Sequence, residues 1–564
     1  MIPKKITKWL WILDYWIIPL GIIIVLFNPV FMHGYIDHLE AGTDVALVND
    51  LSHGKIPYKD IFTLFGPLNI YFEAFAMLLF GKGLAVLRAY YFFANILTII
   101  VAYFICLRIS KNRLLPYISA LALIIETHHP FWTTRWGGPR FTFGLLAILA
   151  AILFFKKGTR RWAYIAGLFG SIAFFVTPDV GITSLLSMGF TLFLSLIYTG
   201  FYEKRWNVNG LTYFVLGATT VFGLFLSYFA IKGALIPYID IFVVLLTKHM
   251  KVWSQGSADI GKYFSMARDN ILGYNFKLML PIIMQGGAIL FVIHRMLRRT
   301  ISWRGYSILC LSIYGLLMYK TALRSLAGPQ FAMAFQPVVI LGFVLMDHVF
   351  VRITTLARTI FTPEGKPDML AIWTVIFFLL AGYAISSDKR YYRDLEGWRD
   401  YQRHKTEVMP MYSNYIHVSR IQLTPLKTSR ARGIKVPSGQ AGIIDGVTKY
   451  IKSVTEPGEQ VFTFPEHGIY NFLADRPSVG RFNIAGFAWT TSEYRQELLG
   501  DLQEIRPRYV IWSRETSYLA KSINVADRDF LPEIQEYLNA NYHVVTSFGG
   551  NEVTHRVDIL KLKE

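Results

Sequence analysis

Residues 35–81 read YIDHLEAGTDVALVNDLSHGKIPYKDIFTLFGPLNIYFEAFAMLLFG and follow directly on the first strongly apolar segment. Acidic residues, histidines and a Gly-x-x-Pro-Tyr-Lys-Asp turn sit here between two membrane-embedded stretches. A connection that only joins two spans needs a few polar residues. Loops longer than about 15 residues are usually functional or disordered, and the aromatic and apolar content of this one argues against disorder.

The rest of the chain sets the context. Of 564 residues, 53% are hydrophobic and 16% aromatic, which excludes a soluble globular class and fits a polytopic membrane protein. We read about eleven spans, near 10–28, 84–108, 114–127, 141–155, 162–177, 181–201, 211–231, 276–294, 305–320, 331–351 and 370–387. The third and fourth are short enough to be tilted or broken. The N-terminus, MIPKKITKW, precedes a long bulky apolar run and reads as a signal anchor. Cys106 and Cys310 both lie in apolar runs and give neither a disulfide framework nor a metal spacing.

The formal net charge of +19 follows the loops. Lys4 and Lys5, then Arg108–Arg113, Lys156–Arg161, Glu203–Arg205, His294–Arg304 and Val351–Lys366 occupy alternate connections, which assigns them to the cytoplasm. The other set is then exoplasmic: 29–83, 128–140, 178–180, 232–275, 321–330 and everything after 388. Nucleic acid is not an expected partner, since no recognition motif or isolated basic helix is present. Within the long exoplasmic loops, LNIYFEAFAMLLF and IPYIDIFVVLL are too short to span and suit helices lying in the membrane interface. A re-entrant or buried helix is the alternative.

These observations divide the chain into a membrane domain, residues 1–388 with the first exoplasmic loop at 29–83, and a soluble exoplasmic domain, 389–564. In the latter VFTFP, YVIW, YHVVTSF and VDILKLK read as strands. GIIDGVTKYIKSV, EYRQELLGDLQEI and DFLPEIQEYLNAN read as the intervening helices of a small α/β layer.

The first loop resembles that of the GT-C superfamily of polyprenyl-phosphate-sugar-dependent glycosyltransferases, in the family 39, protein-mannosyltransferase-like branch. The similarity rests on Glu40-Ala41-Gly42, the turn Leu51-Ser52-His53-Gly54-Lys55-Ile56-Pro57-Tyr58-Lys59-Asp60, Gly66-Pro67-Leu68, Phe80-Gly81 and Arg88. It covers about sixty residues. One departure stands out: the adjacent Asp-Glu pair of the family is absent. Counting back from Gly54 places Glu40 at the family's Asp position and Ala41 at its Glu position, with Asp37 three residues earlier. The resemblance implies an α-helical polytopic GT-C fold with about eleven transmembrane helices and a small C-terminal exoplasmic α/β domain. The implied activity is an inverting hexosyl or pentosyl transfer from a polyprenyl-phosphate-linked donor to a lipid, glycan or protein acceptor at the exoplasmic face. The corresponding location is a multi-pass protein of a bacterial inner or plasma membrane with a cytoplasmic N-terminus. A flippase for lipid-linked glycans and a membrane scaffold are the rival readings.

Such a transfer needs a general base for the acceptor hydroxyl. Asp37 and Glu40 are the candidates; three residues apart, they would share one face of a helix. His38 and Asp44 lie beside them, and the 37/38/40 cluster is weak evidence for a divalent metal, so no cofactor is assigned. The lipid-phosphate leaving group needs cations or polar partners. His128, His129, Arg135 and Arg140 offer them from one exoplasmic loop, and Lys320, Arg324 and Gln330 from another. Arg324 is the strongest, because similar enzymes place a basic residue after a late span. Asp179, at a tight turn, could pair with Arg140 or hold the sugar. Tyr58 and Asp60 read as shaping the loop, and Arg88 as pairing with a loop carboxylate.

Overall fold

The computed structural model describes residues 9–27, 32–126, 137–249, 252, 276–322, 336–347, 408–411, 414–417, 422–515, 517–550 and 556–564. The membrane part is helical. Its elements are α1 (Trp9–Leu26), α2 (Glu40–Ser52), α3 (Pro67–Phe80), α4 (Leu84–Ile109), α5 (Leu114–Glu126), α6 (Gly138–Lys157), α7 (Arg160–Val176), α8 (Pro178–Tyr202), α9 (Asn209–Ile231), α10 (Leu235–Val244), α11 (Phe276–Leu297), α12 (Trp303–Ala322) and α13 (Gln336–Asp347). Six of these are long and apolar enough to cross a membrane: α1, α4, α6, α8, α9 and the Met279–Leu297 part of α11. Every span expected before residue 351 falls on a helix; the last, 370–387, lies outside the described residues. The expected fourth span is not short. It begins at Gly138 and runs 20 residues, because Pro139 starts a helix in its first turn at no hydrogen-bonding cost.

The helices are packed closely where glycine permits it. A Cβ on Gly167 would stand 2.0 Å from the Phe214 carbonyl oxygen, and one on Gly217 would stand 2.0 Å from that of Tyr164. Helices α7 and α9 therefore touch backbone to backbone, the small-residue contact that lets membrane helices gain dispersion energy where lipid offers no hydrophobic drive. Buried Asp347 at the end of α13 accepts from the Lys111 and Asn112 N–H groups at 2.7 and 2.8 Å. The loop after α4 thus meets the C-terminal end of α13.

The first loop carries two helices, α2 and α3. In α3 Phe75, Leu78, Leu79 and Phe80 are exposed, while Asn69, Ile70, Glu73 and Met77 are buried. In α10 Ile236, Ile239 and Val243 are exposed and Ile241 and Val244 buried. This one-sided apolar exposure suits a helix at the membrane interface.

In the C-terminal part, β1 (Val408–Met411) pairs with β2 (Asn414–His417), and β3 (Leu423–Pro425) with β4 (Lys435–Pro437). Then follow α14 (Ser438–Val454), β5 (Phe462–Phe464), α15 (Ile469–Ala474), α16 (Ser492–Ile505), β6 (Tyr509–Ser513), α17 (Tyr518–Ser522), α18 (Pro532–Asn541), β7 (Tyr542–Gly549) and β8 (Arg556–Leu562). The main sheet has the order β5-β6-β8-β7, with β5 and β6 parallel and β8 antiparallel to both its neighbours. All four expected strands and all three expected helices of this layer are present.

The two parts share a core. One contiguous cluster takes Ile36, Val45, Val48, Ile61 and Ile70 from the first loop and Leu84, Leu87 and Tyr91 from α4. It continues into Ile444, Val447, Ile469, Phe472, Ile511 and Ile559 of the C-terminal layer. The first loop and the C-terminal part are therefore joined by apolar burial.

Gly217→Val forces a branched side chain into the Tyr164 backbone and is expected to cost at least about 1–3 kcal/mol, read as a lowered thermal unfolding temperature in detergent. A second expectation concerns buried Asp558 on β8. Burial alone would raise its pKa, but hydrogen bonds from Ser547, Arg556 and Arg514 outweigh that and hold it below the usual carboxylate value. A depressed folded-state pKa stabilises above the unfolded value near 4 and is lost as pH falls through the folded one. Asp558→Asn should therefore be destabilising at pH 7, with the gap to wild type closing as the pH drops below about 4.

Candidate functional site

The segment leading into α2 is held by its backbone. Arg88, buried at the start of α4, donates to the Met32 carbonyl at 2.7 Å and the Tyr35 carbonyl at 3.4 Å. Gln440 of α14 takes both polar groups of Ile36, accepting its N–H at 3.0 Å and donating to its carbonyl at 2.8 Å. Between them, Gly34 N–H donates to the Lys435 carbonyl at 2.8 Å, and Lys435 N–H donates to His33 Nδ1 at 3.2 Å. Burial, followed by the Lys435 and Arg88 charges, pushes the His33 pKa below its usual value, which keeps Nδ1 able to accept. Arg88 thus binds loop carbonyls rather than the loop carboxylate expected from sequence: the chain turns its backbone toward the guanidinium.

Asp37 comes next. It is half-buried, and its carbonyl accepts from Ala41 and Gly42 N–H at 3.1 and 3.3 Å. It precedes the helix, which opens at Glu40, so the shared helical face expected for Asp37 and Glu40 is not formed; the two carboxylates belong to a turn and a first helical turn. The Glu40 side chain lies outside the described residues. His38 is 5% exposed, with Nε2 3.3 Å from Gln440 Nε2, and Asp44 is fully buried in α2.

Helix α2 is bolted to the C-terminal layer by residues that the sequence did not single out. Asp50, 0% exposed, accepts from Ser478 N–H at 2.9 Å, Ser478 Oγ at 2.6 Å, Asn483 Nδ2 at 3.0 Å and Lys55 Nζ at 3.3 Å. Lys55 also donates to the Ser478 and Gly480 carbonyls. Asn49 donates to the Arg476 carbonyl and accepts from Arg430, which pairs with Asp475 at 2.5 Å.

The Pro57–Asp60 turn is structural. Tyr58 has φ 71°, its N–H bonds Ile61 and its hydroxyl donates to the Phe65 carbonyl at 2.7 Å, while Asp60 accepts from Ile56 N–H at 3.0 Å. The following Gly66-Pro67 is a close approach: a Cβ at Gly66 would stand 2.0 Å from the Phe175 carbonyl oxygen. Tyr58, Phe65, Gly66, Phe174, Tyr238 and Phe242 line a narrow aromatic cleft there. Glu73, fully buried on α3, accepts from Asn69 and, at 2.5 Å, from the Tyr91 hydroxyl. Its signal was present in the sequence as a lone acid within LNIYFEAFAMLLF, the kind of residue that is rarely placed in an apolar helix without a function.

Of the cationic candidates, Arg140 on α6 pairs with Asp179 at the start of α8, so Asp179 takes the first of its two expected roles. Lys320 is exposed at the end of α12. His128, His129, Arg135, Arg324 and Gln330 lie outside the described residues. Among the described residues one group has the composition and spacing of metal ligands: His38, His467 and Glu515, with a ligand atom from each all within 4.8 Å of one another. It retains only His38 from the 37/38/40 cluster and recruits its other members from the C-terminal layer.

No protein-family model matches this sequence, and no curated protein matches it at the sequence level. Solved structures do match. The oligosaccharyltransferase AglB from Archaeoglobus fulgidus, in complex with an inhibitory peptide and a dolichol-phosphate, superposes with a TM-score of 0.51 at 12% identity. That match covers 93% of this chain and 73% of AglB. ArnT from Cupriavidus metallidurans, bound to undecaprenyl phosphate, superposes with a TM-score of 0.50 at 14% identity, covering 98% of each chain.

Removing one partner of a buried charge network is costly, so Asp50→Ala should destabilise by about 3–5 kcal/mol. Thermal unfolding in detergent, with proteolytic sensitivity of the 40–60 and 476–483 segments, reads the loss. A change within 0.5 kcal/mol would show that the anchor is not carried by this carboxylate.

Proposed function

We propose that this chain, whose fold is the GT-C fold of membrane glycosyltransferases, transfers a sugar from a polyprenyl-phosphate-linked donor to a lipid, glycan or protein acceptor at the exoplasmic face. The observation that carries the reading is the clamped segment 32–37. Arg88 from the membrane part and Gln440 from the C-terminal layer fix the backbone on both sides of it, directly ahead of Asp37 and, three residues on, Glu40, which supports the reading. A base placed by backbone bonds to two different layers is pre-organised, which is what lowers the entropic part of a transfer barrier.

In this reading Asp37 or Glu40 takes the proton of the acceptor hydroxyl as the new glycosidic bond forms from the opposite face, giving inversion. The polyprenyl phosphate leaves with the electron pair of the broken bond, and the developing charge needs cations. Arg324, Arg135, Lys320, His128 and His129, with Gln330 as a polar partner, remain the proposed set for that phosphate. Arg140 serves it less directly, through its pair with Asp179. The aromatic cleft beside Tyr58 and the lipid-facing side of α3 suit the first isoprene units of the donor. The protein would sit in a bacterial inner or plasma membrane, N-terminus in the cytoplasm.

The test uses the full chain in nanodiscs with a panel of radiolabelled polyprenyl-phosphate sugars. One donor should support transfer or hydrolysis. Asp37→Asn and Glu40→Gln, singly and together, should reveal the base through a loss of about 10²–10⁴-fold. Gln440→Ala should lower kcat more than it changes KM, since it positions the turn without touching substrate. Undiminished activity in the double variant would remove the mechanism. Absence of turnover from every donor, with the protein folded, would move the reading to a carrier of lipid-linked glycans.

A further inference from the structure

In the C-terminal layer, β5 and β6 run parallel and adjacent, with Phe462–Phe464 in register with Val510–Trp512. Ligands of α/β layers gather in the crevice beyond the carboxyl ends of such strands. Here the segment after β5 supplies Glu466 and His467, and the segment after β6 supplies Glu515. The turn ahead of α2 closes over the same edge and brings His38. His38 and His467 are 5% and 4% exposed, with ring centroids 4.5 Å apart. Tyr470 stacks on both, 11° from the plane of His467 and 27° from that of His38. Three rings packed in this way fix the direction of both imidazoles.

We propose that His38, His467 and Glu515 bind a divalent transition-metal ion of the zinc type, joining the first loop to the C-terminal layer. The donor set is two imidazole nitrogens and one carboxylate, which suits zinc and its neighbours and not the all-oxygen shells of magnesium or calcium. The spacing also suits it. Bonds of about 2.0–2.1 Å at a tetrahedral centre place ligand atoms about 3.3–3.4 Å apart. His467 Nε2 stands 3.4 Å from Glu515 Oε2, and the three ligand atoms lie within 4.8 Å of one another, so a small closing movement of His38 completes the shell. Glu466 is not a ligand. Its carboxylate accepts from Ser517 Oγ and from the Tyr518 and Leu519 N–H groups at 3.1 and 2.8 Å, and so is committed to the start of α17. Three protein ligands leave a fourth position for water or another oxygen. Because His38 lies between Asp37 and Glu40 in the chain, the ion would fix the segment that carries both carboxylates.

The experiment requires no knowledge of the substrate. The full chain in detergent is stripped with chelator, dialysed and titrated with Zn²⁺ by calorimetry and with Co²⁺ by visible absorption. One Zn²⁺ per chain is expected, with a cobalt spectrum of tetrahedral or five-coordinate type. His467→Ala and Glu515→Gln should each weaken Zn²⁺ binding by at least about 100-fold, since even outer-shell partners contribute 10–100-fold. His543→Ala, an exposed histidine on β7, should leave it unchanged. Zn²⁺ should raise the unfolding temperature of wild type and not that of the two ligand variants. If His467→Ala does not fold, Glu515→Gln carries the comparison, because its side chain is 38% exposed. No stoichiometric binding, or equal affinity in wild type and Glu515→Gln, overturns the proposal. Either result leaves the transfer reaction to be decided by its own assay.

Discussion

A buried carboxylate cannot stand alone in a protein interior, and Asp50 shows what the chain does to keep one. Its two oxygens receive a backbone N–H, a hydroxyl, an amide and an ammonium, and three of these four donors come from residues more than 420 positions away in sequence. Each contact is ordinary. Together they make the seam between the first loop and the C-terminal layer, because desolvating the carboxylate is tolerable only while every one of them is in place. Lys55 reinforces the seam by reaching past Asp50 to two carbonyls of the facing chain.

The apolar contacts follow from that registration. Once α2 is held in place, Val45 and Val48 join Ile469 and Phe472 in one cluster, and the loop and the layer bury one core in common. The segment 32–37 then runs along a surface made of both parts, so its backbone groups can be satisfied by Arg88 on one side and Gln440 on the other. The candidate base is placed by neither the membrane helices nor the soluble layer alone. The stretch that joins the first two spans is in this sense an interior element of the molecule.

Much of the architecture was legible in the sequence because it is written in local patterns. Apolar runs marked the helices of the membrane part, and alternating strand and helix signals marked the C-terminal layer. The partners of the first loop were not legible, since nothing in local spacing ties Asp50 to Ser478 or Ile36 to Gln440. Arg88 is instructive. Charge complementarity predicted a carboxylate partner, yet carbonyl oxygens can also accept from a guanidinium when the loop turns them toward it, and the structure uses those. His467 and Glu515 carried no signal at all, being ordinary residues after two short strands until the fold sets them beside His38.

The treatment of acidic side chains distinguishes the parts of this loop by role. Asp50 is met by a cation and by donors from the far layer, which suits an anchor. Glu73 is met by the neutral donors Asn69 and Tyr91 from α3 and α4, which ties an interfacial helix to a span without adding a cation to an apolar region. Asp60 is spent on a turn amide. Asp37 differs from all three. It is half-buried, its backbone carbonyl accepts from the Ala41 and Gly42 N–H groups at the start of α2, and Arg88 and Gln440 hold the residues just before it. Its main chain is fixed while the residue as a whole stays partly exposed to solvent. A general base has to be held in place and within reach of its substrate, which is why the proposed transfer reaction looks to Asp37, with Glu40 three residues on.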